Sequence, residues 1–77
     1  MQNDVRARIA AEVRAELARQ QKSQRDVAAQ VGLSQASVQL RLVGERPFRA
    51  EELAIIADWL GVPAGQFLPP LATAGVA

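Results

Sequence analysis

Apolar residues recur along this chain every three or four positions, which is the spacing of one face of an α-helix. The first such segment predicts a helix over about residues 5–21, with Asn3 or Asp4 available to cap its start. Its apolar stripe consists of Val5, Ile9, Ala10, Val13 and Leu17. The periodic segments have helical rather than alternating spacing, so the sequence predicts an all-α fold.

Two short helical segments follow, separated by a turn at Gly32. We expect these helices over residues 24–31 and 35–43, with Ser23 and Ser34 as their N-caps. They share an apolar face that consists of Val27, Val31, Leu33, Val38 and Leu42. Glycine tolerates the positive φ that a tight turn can require. Two helices that are joined in this way and share one apolar face are typical of a helix-turn-helix.

A fourth amphipathic helix is predicted over about residues 50–60. Its buried stripe consists of Leu53, Ile56, Ala57 and Leu60. Pro63 fits the first turn of a short fifth helix that would end at Phe67. Phe48 lies just before the fourth helix, and we expect its ring to plug the core.

These elements together predict one compact five-helix domain over residues 1–68. The remaining residues, 69–77, are mostly small and apolar without helical spacing, and we expect them to be disordered. A chain of 77 residues has room for one small domain with a modest core.

The composition argues against several kinds of chemistry. The chain has no cysteine and no histidine, so a disulfide, a zinc site and a cysteine- or histidine-based catalytic pair are not expected. The sequence has no glycine-rich phosphate loop, and no apolar run approaches the length of a membrane span. We therefore expect a cytoplasmic protein that is not an enzyme and has no metal, no other cofactor, no small-molecule ligand and no membrane partner.

The net charge of +1 hides an uneven distribution along the chain. Residues 1–49 hold all nine basic residues and five acidic ones, whereas residues 50–77 hold three acidic residues and no basic one. One end of the fold should therefore be electropositive, as binding to a polyanion such as nucleic acid requires. The alternative is that these charges only solvate the helix surfaces.

The segment from Ser23 to Gly44 resembles the helix-turn-helix of phage Cro and repressor proteins and of the related Xre-type bacterial regulators. The residues that carry the resemblance are Gln24, Val27, Ala28, Val31, Gly32, Leu33, Ser34, Gln35, Val38 and Gly44. The likeness extends over roughly residues 9–68. It implies a lambda-repressor-like fold and a transcriptional regulator, of phage or prophage repressor type, that binds a double-stranded DNA operator.

The resemblance implies that the third helix enters the major groove of DNA, which is wide enough to admit an α-helix. The side chains expected to meet base edges are Gln35, Ala36, Gln39 and Leu40. Glutamine can form two hydrogen bonds to adenine, and alanine or leucine can contact the methyl group of thymine. The third helix therefore suits base steps that contain A·T pairs.

A second group of residues is expected to contact phosphates, which give affinity without sequence information. The group consists of Lys22, Ser23, Gln24, Arg25, Ser34, Arg41, Arg46 and Arg49. The resemblance implies that Gln24 also braces Gln35. Arg41 stands where the family usually has an apolar residue, so we expect Leu42 to take the buried position. The alternative for Arg41 is a surface cation without a role in binding.

Related proteins bind two inverted half-sites as two-fold homodimers. On the fourth helix, Ile55 and Trp59 lie beside the buried stripe, one turn apart, and either meet a second subunit or cover the fifth helix. The competing function is that of a helix-turn-helix module for protein contact, such as an antitoxin. Such a module should expose apolar residues on the third helix, where only Ala36 and Leu40 qualify.

Overall fold

Four α-helices and one 3-10 turn make up the described part of the chain. The computed structural model describes residues 2–69, and their side chains from Val5 onward. In chain order, the elements are α1 at Gln2–Arg19, α2 at Gln24–Val31, α3 at Gln35–Leu42, α4 at Ala50–Leu60 and the 3-10 turn at Ala64–Phe67. Residues 2–69 contain no strand, so the all-α prediction is confirmed. No helix in that range is both long and apolar enough to cross a membrane.

The predicted boundaries agree with the structure for α2 and α4 and differ elsewhere. α3 ends at Leu42, one residue earlier than expected, and a single 3-10 turn stands in place of the fifth helix. The proposed N-caps Asn3 and Asp4 are wrong, because both residues lie within α1. The tail that we expected to be disordered, residues 69–77, lies outside the described residues apart from Pro69.

All four helices end in the same hydrogen-bond pattern. In each, the N–H group of a residue beyond the helix donates a hydrogen bond to the carbonyl five residues earlier. The residue just before that N–H group has a left-handed backbone conformation. The four pairs are Lys22 with Leu17, Leu33 with Ala28, Glu45 with Leu40 and Val62 with Ala57. The left-handed residue is a glycine at the ends of α2, α3 and α4, but it is Gln21, with a φ of 57°, at the end of α1. This turn ends α1 earlier than its apolar pattern suggested.

Serine caps set the start of α2 and of α3, as predicted. The Ser23 hydroxyl accepts the N–H of Asp26 at 3.1 Å, and the Asp26 carboxylate accepts the N–H of Ser23 at 2.9 Å. These reciprocal bonds lower the pKa of Asp26, chiefly through the backbone N–H of Ser23. The Ser34 hydroxyl accepts the N–H of Ser37 at 3.1 Å. Since Gly32 ends α2 with a φ of 73°, only three residues separate α2 from α3.

One hydrophobic core joins all the elements. Its buried residues are Val13, Leu17, Val27, Ala28, Val38, Leu42, Leu53, Ile56, Ala57, Leu60 and Phe67. The apolar stripes predicted for α2, α3 and α4 supply most of this set. On α1 the predicted stripe is confirmed from Ile9 onward, because Ile9 packs against the core and Ala10, Val13 and Leu17 are buried, whereas Val5 is exposed.

The aromatic residue at the centre of the core is Phe67 and not Phe48. Phe67 has no solvent exposure, whereas Phe48 is only partly buried at the edge of the core. The expectation that Phe48 plugs the core is therefore wrong. The 3-10 turn explains the difference, because it carries Phe67 back between α1 and α4.

A buried carboxylate ties α1 to the C-terminal elements. Glu16 accepts hydrogen bonds of 2.8 Å from Gln20, Arg19 and Gln66, and the last of these belongs to the 3-10 turn. Gln20 also donates, at 2.9 Å, to the carbonyl of Leu60, the last residue of α4. The hydrogen bonds from Gln20 and then Arg19 hold the pKa of Glu16 below its ordinary value, although burial opposes them.

Two phenylalanine variants test the assignment of the core. Phe67→Ala should lower the free energy of unfolding by about 3–5 kcal/mol, the usual cost of emptying a fully buried aromatic site. Phe48→Ala should cost clearly less, because its ring is partly solvated in the native state. Urea unfolding followed by circular dichroism measures both. A larger loss for Phe48→Ala would contradict this arrangement of the core.

The Glu16 carboxylate predicts a loss of stability in acid. A pKa that is lowered on folding means that ionised Glu16 stabilises the fold fully above its ordinary pKa of about 4.3, and that this contribution disappears as the pH falls through the lowered value. Glu16→Gln should therefore be less stable than the parent at pH 7, and the difference should shrink in acid. The matched control is Glu12→Gln, at an exposed position of the same helix. A difference that is constant from pH 7 to pH 3 would contradict the role of Glu16.

Candidate nucleic-acid interface

The rotation of α3 directs one charged residue inward. Arg41 is buried together with its neighbour Leu42. Its Nε donates to the Glu52 carboxylate on α4 at 2.9 Å, and its Nη1 donates to the carbonyl of Ser37 at 3.1 Å. The side chains of Arg41 and Glu52 are each only 10% exposed. The pair therefore lies inside the protein, between α3 and α4.

The same Glu52 oxygen also caps α4. It accepts the backbone N–H of Arg49 at 2.9 Å, where Arg49 is the residue before the helix. Arg49 has no side-chain oxygen that could accept an N–H group of the first turn. The Glu52 carboxylate, three residues further along, instead accepts the backbone N–H at the start of the helix. One oxygen atom thus links the buried Arg41 of α3 to the first turn of α4.

The expectation that Arg41 contacts a DNA phosphate is wrong for this structure. Its guanidinium is engaged with Glu52 and the α3 backbone and lies away from solvent. The alternative of a surface cation is wrong for the same reason. The expected burial of Leu42 is confirmed, and Arg41 is buried beside it.

With this rotation, the outer face of α3 presents most of the proposed base-reading residues. Gln35, Ala36 and Gln39 are exposed, whereas Leu40 is partly buried. Val43, just beyond the helix, is 46% exposed and extends the same face. Val43 was expected only as the last helical residue, and its exposure was not predicted from the sequence.

Gln24 braces a different glutamine from the one that the resemblance implied. Its side-chain nitrogen donates to the side-chain oxygen of Gln39, one turn beyond Gln35 on α3. Both residues of the pair are exposed. The pair therefore joins the first residue of α2 to the outer face of α3.

Beside this pair lies a cleft of about 300 Å³ between α1 and α3. It is lined by Arg14, Leu17, Ala18, Lys22, Gln24, Gln39, Leu42 and Val43. Arg14 was not among the predicted site residues, because the apolar pattern of α1 assigns it only to a charged surface. The packing of α1 against α3 brings it here, where its Nη1 donates to the carbonyl of Leu42.

The candidate phosphate-binding residues fall into two groups along the chain, one around the start of α2 and one beyond the end of α3. Lys22, Ser23, Gln24 and Arg25 are exposed around the start of α2, with the Lys22 ammonium 5.4 Å from the centre of the Trp59 ring. Arg46 and Arg49 are exposed beyond the end of α3. The N–H of Arg46 is bound at 3.2 Å by the carbonyl of Leu40, which holds the backbone of this second group to α3.

Ser34 is exposed at the start of α3. Its hydroxyl accepts the N–H of Ser37 and donates to the Ser37 hydroxyl, both at 3.1 Å. Because α3 has eight residues, it is only about 12 Å long.

The chain is similar to known DNA-binding domains. A helix-turn-helix family model matches residues 13–67. The crystal structure of the DNA-binding domain of BldD has 27% sequence identity and a TM-score of 0.75, and the match covers 90% of this chain and 100% of that one. The crystal structure of the hypothetical transcription factor NHTF from Neisseria has 27% sequence identity to this chain and a TM-score of 0.76. That match covers 100% of this chain and 90% of the other. No curated protein matches the chain.

The buried ion pair can be tested by a double-mutant cycle. Arg41→Met should destabilise the protein by about 3–5 kcal/mol, because it leaves the Glu52 carboxylate buried without its cation. The double variant Arg41→Met/Glu52→Gln removes both charges and retains an oxygen for the N–H of Arg49, so it should be more stable than Arg41→Met alone. Unfolding free energies of the four proteins measure the coupling. Additive losses, within about 0.5 kcal/mol, would contradict a coupled pair.

Proposed function

Because the chain belongs to the helix-turn-helix family of DNA-binding regulators, we propose that it binds a double-stranded DNA operator through α3 and regulates transcription. The observation that carries this proposal is the outer face of α3, which is exposed and uncharged, together with exposed basic residues at the start of α2 and in the loop after α3. An uncharged face with amides and small apolar groups suits the floor of the major groove, and the flanking cations suit its phosphate walls. The similarity to the DNA-binding domain of BldD and to a hypothetical transcription factor supports the same function.

Within this function, Gln35 is the principal reader of bases in our proposal. It is the first residue of α3, directly after the Ser34 cap, and its side chain is exposed. The N-terminal residues of a recognition helix are those that reach base edges. A glutamine there can bind adenine with two hydrogen bonds, while Ala36 can contact a thymine methyl.

We further propose that the operator has two inverted half-sites and that a homodimer occupies them, in the manner of compact phage or prophage repressors. Ile55 on α4 is 42% exposed, so this apolar side chain is available for a subunit contact. Trp59 is partly buried and has the Lys22 ammonium over its ring, so it contributes less exposed surface to such a contact.

Paired substitutions distinguish base reading from phosphate binding. Gln35→Ala should weaken binding to the preferred operator by about 1–3 kcal/mol, the range for one bidentate base contact, and should change binding to unrelated DNA little. Arg46→Gln should weaken binding to both DNAs alike and flatten the logarithmic dependence of affinity on salt by about one unit. Titrations of the parent and both variants at several salt concentrations measure these effects.

Two results would contradict the proposal. Affinity that does not change with salt would mean that phosphates are not neutralised by the basic groups. Equal affinity of the parent protein for all sequences in a random DNA pool would mean that α3 reads no bases.

A further inference from the structure

We infer that the cleft between α1 and α3 holds one backbone phosphate of the operator, bound jointly by Arg14 of α1 and by Lys22. This inference rests on the proposed function and adds to it a phosphate site in which one ligand, Arg14, comes from outside the helix-turn-helix. It follows from the charge of the cleft, from the groups that orient its two cations, and from its place beside α3.

The lining of the cleft carries positive charge only. Arg14 and Lys22 are its charged members, and no aspartate or glutamate among the described residues lines it. The other side chains of the lining are neutral, among them the buried Leu17 and Leu42. A cleft with charges of one sign and apolar walls concentrates ions of the opposite sign. The ligand class that suits this cleft is therefore an anion.

Uncharged groups hold both cations in place. The Nη1 of Arg14 donates to the carbonyl of Leu42, and the guanidinium has further N–H groups that this bond does not use. The backbone N–H of Lys22 donates to the carbonyl of Leu17 at 2.9 Å. The Lys22 ammonium lies 5.4 Å from the centre of the Trp59 ring, within the range of a cation–π contact.

Two other arginines differ from this pair, because carboxylates neutralise them. Arg19 lies 2.8 Å from Glu16, and Arg41 lies 2.9 Å from Glu52. A carbonyl or an aromatic ring orients a cation but leaves its charge in place. A cation that is already oriented also loses less side-chain entropy when it binds an anion. The two cations of the cleft thus combine retained charge with a defined position.

The cleft borders the face of α3 that we propose for the major groove. Gln39 and Val43 belong to that exposed face and also line the cleft. An α-helix with its side chains is about 10–12 Å across and the major groove is about 12 Å wide, so the flanks of a bound helix lie against the phosphate walls. With α3 in the groove, the cleft on its α1 side faces one wall. A phosphate of that wall can accept charge-assisted hydrogen bonds from both cations.

Single neutral phosphates in the operator test the site. In a methylphosphonate, a methyl group replaces one phosphate oxygen and removes the negative charge. The parent protein is titrated at fixed salt against duplexes of its selected operator, each with one methylphosphonate, placed in turn along both strands. Arg14→Met and Lys22→Met are titrated against the same series. Arg8→Met is the matched control, because Arg8 is exposed on α1 and does not line the cleft.

One position in each half-site should cost the parent about tenfold in affinity, the size expected for hydrogen bonds to a charged group. At that position the penalty should shrink in Arg14→Met and in Lys22→Met and disappear in the double variant, whereas Arg8→Met should retain it. Circular dichroism melts establish that each variant is folded. An Arg14 that only stabilises the end of α3 would change the melting temperature and leave the penalty at every phosphate unaltered.

A second pair of variants blocks the site while both cations stay in place. Ala18 is exposed on α1, lines the cleft and lies one turn beyond Arg14. Ala18→Glu places a carboxylate beside the cations and should abolish the penalty at the same position, whereas the neutral Ala18→Gln should retain most of it. Ala11→Glu makes an equal change of charge at an exposed position of α1 outside the cleft, so it measures the general loss of affinity from an added negative charge.

Three results would overturn the inference. They are the absence of any phosphate whose penalty depends on Arg14, penalties that depend on Arg14 and on Lys22 at different phosphates, and a penalty that Arg8→Met reduces as much as Arg14→Met does. In each case the proposed function stands if the parent protein still prefers its operator and loses affinity as salt rises. A parent protein without sequence preference would instead reject the proposed function, and this inference with it.

Discussion

The structure depends on one buried ion pair, between Arg41 of α3 and Glu52 of α4. Removing two charges from water is costly, and such pairs rarely make a protein more stable than well-packed apolar residues would. The benefit lies in geometry, because an arginine with a buried carboxylate partner has few acceptable orientations. The additional bonds to Ser37 and Arg49 restrict the pair further. A helix that is fixed in this way presents one defined face to solvent.

Glu16 is a second buried carboxylate that joins separate elements of the fold. Glu16 and its partners fasten α1 to the end of α4 and to the 3-10 turn, as Glu52 fastens α3 to the start of α4. In a domain this small the apolar core is modest, and several arrangements of short helices could bury similar areas. The two polar clusters favour one arrangement, since an arrangement that buried one of these charges away from its partners would be costly. The same arrangement forms the cleft between α1 and α3, where Gln24 meets Gln39.

The sequence was sufficient for the parts of this fold that depend on neighbours in the chain. The helices, the serine caps at Ser23 and Ser34 and the apolar stripe of α4 all follow from local spacing and local hydrogen bonds. The buried charges could not be predicted in this way. Arg41 and Glu16 are ordinary surface residues by type, and their burial depends in part on partners that are distant in sequence, Glu52 and Gln66. The error over Phe48 has a similar origin, because the sequence does not show how far the 3-10 turn carries Phe67 back into the core.

In the candidate site, too, local features could be predicted from the sequence, whereas contacts between helices could not. The sequence indicated which segment would face a partner, but not which glutamine Gln24 would contact or that Arg14 would line the neighbouring cleft. Both depend on how α1 and α2 pack against α3. The sequence therefore predicted which segment carries the exposed polar residues better than the contacts that their side chains make.

In the proposed complex, the face of α3 opposite Arg41 enters the major groove. Nuclear magnetic resonance of the isotope-labelled protein, titrated with its selected duplex, tests this arrangement, because glutamine side-chain amides give separate signals. The amide signals of Gln35 and Gln39 should shift strongly and show nuclear Overhauser contacts to base protons in the major groove. Shifts that are concentrated around Ile55 on α4, without contacts from α3 to any base, would contradict it.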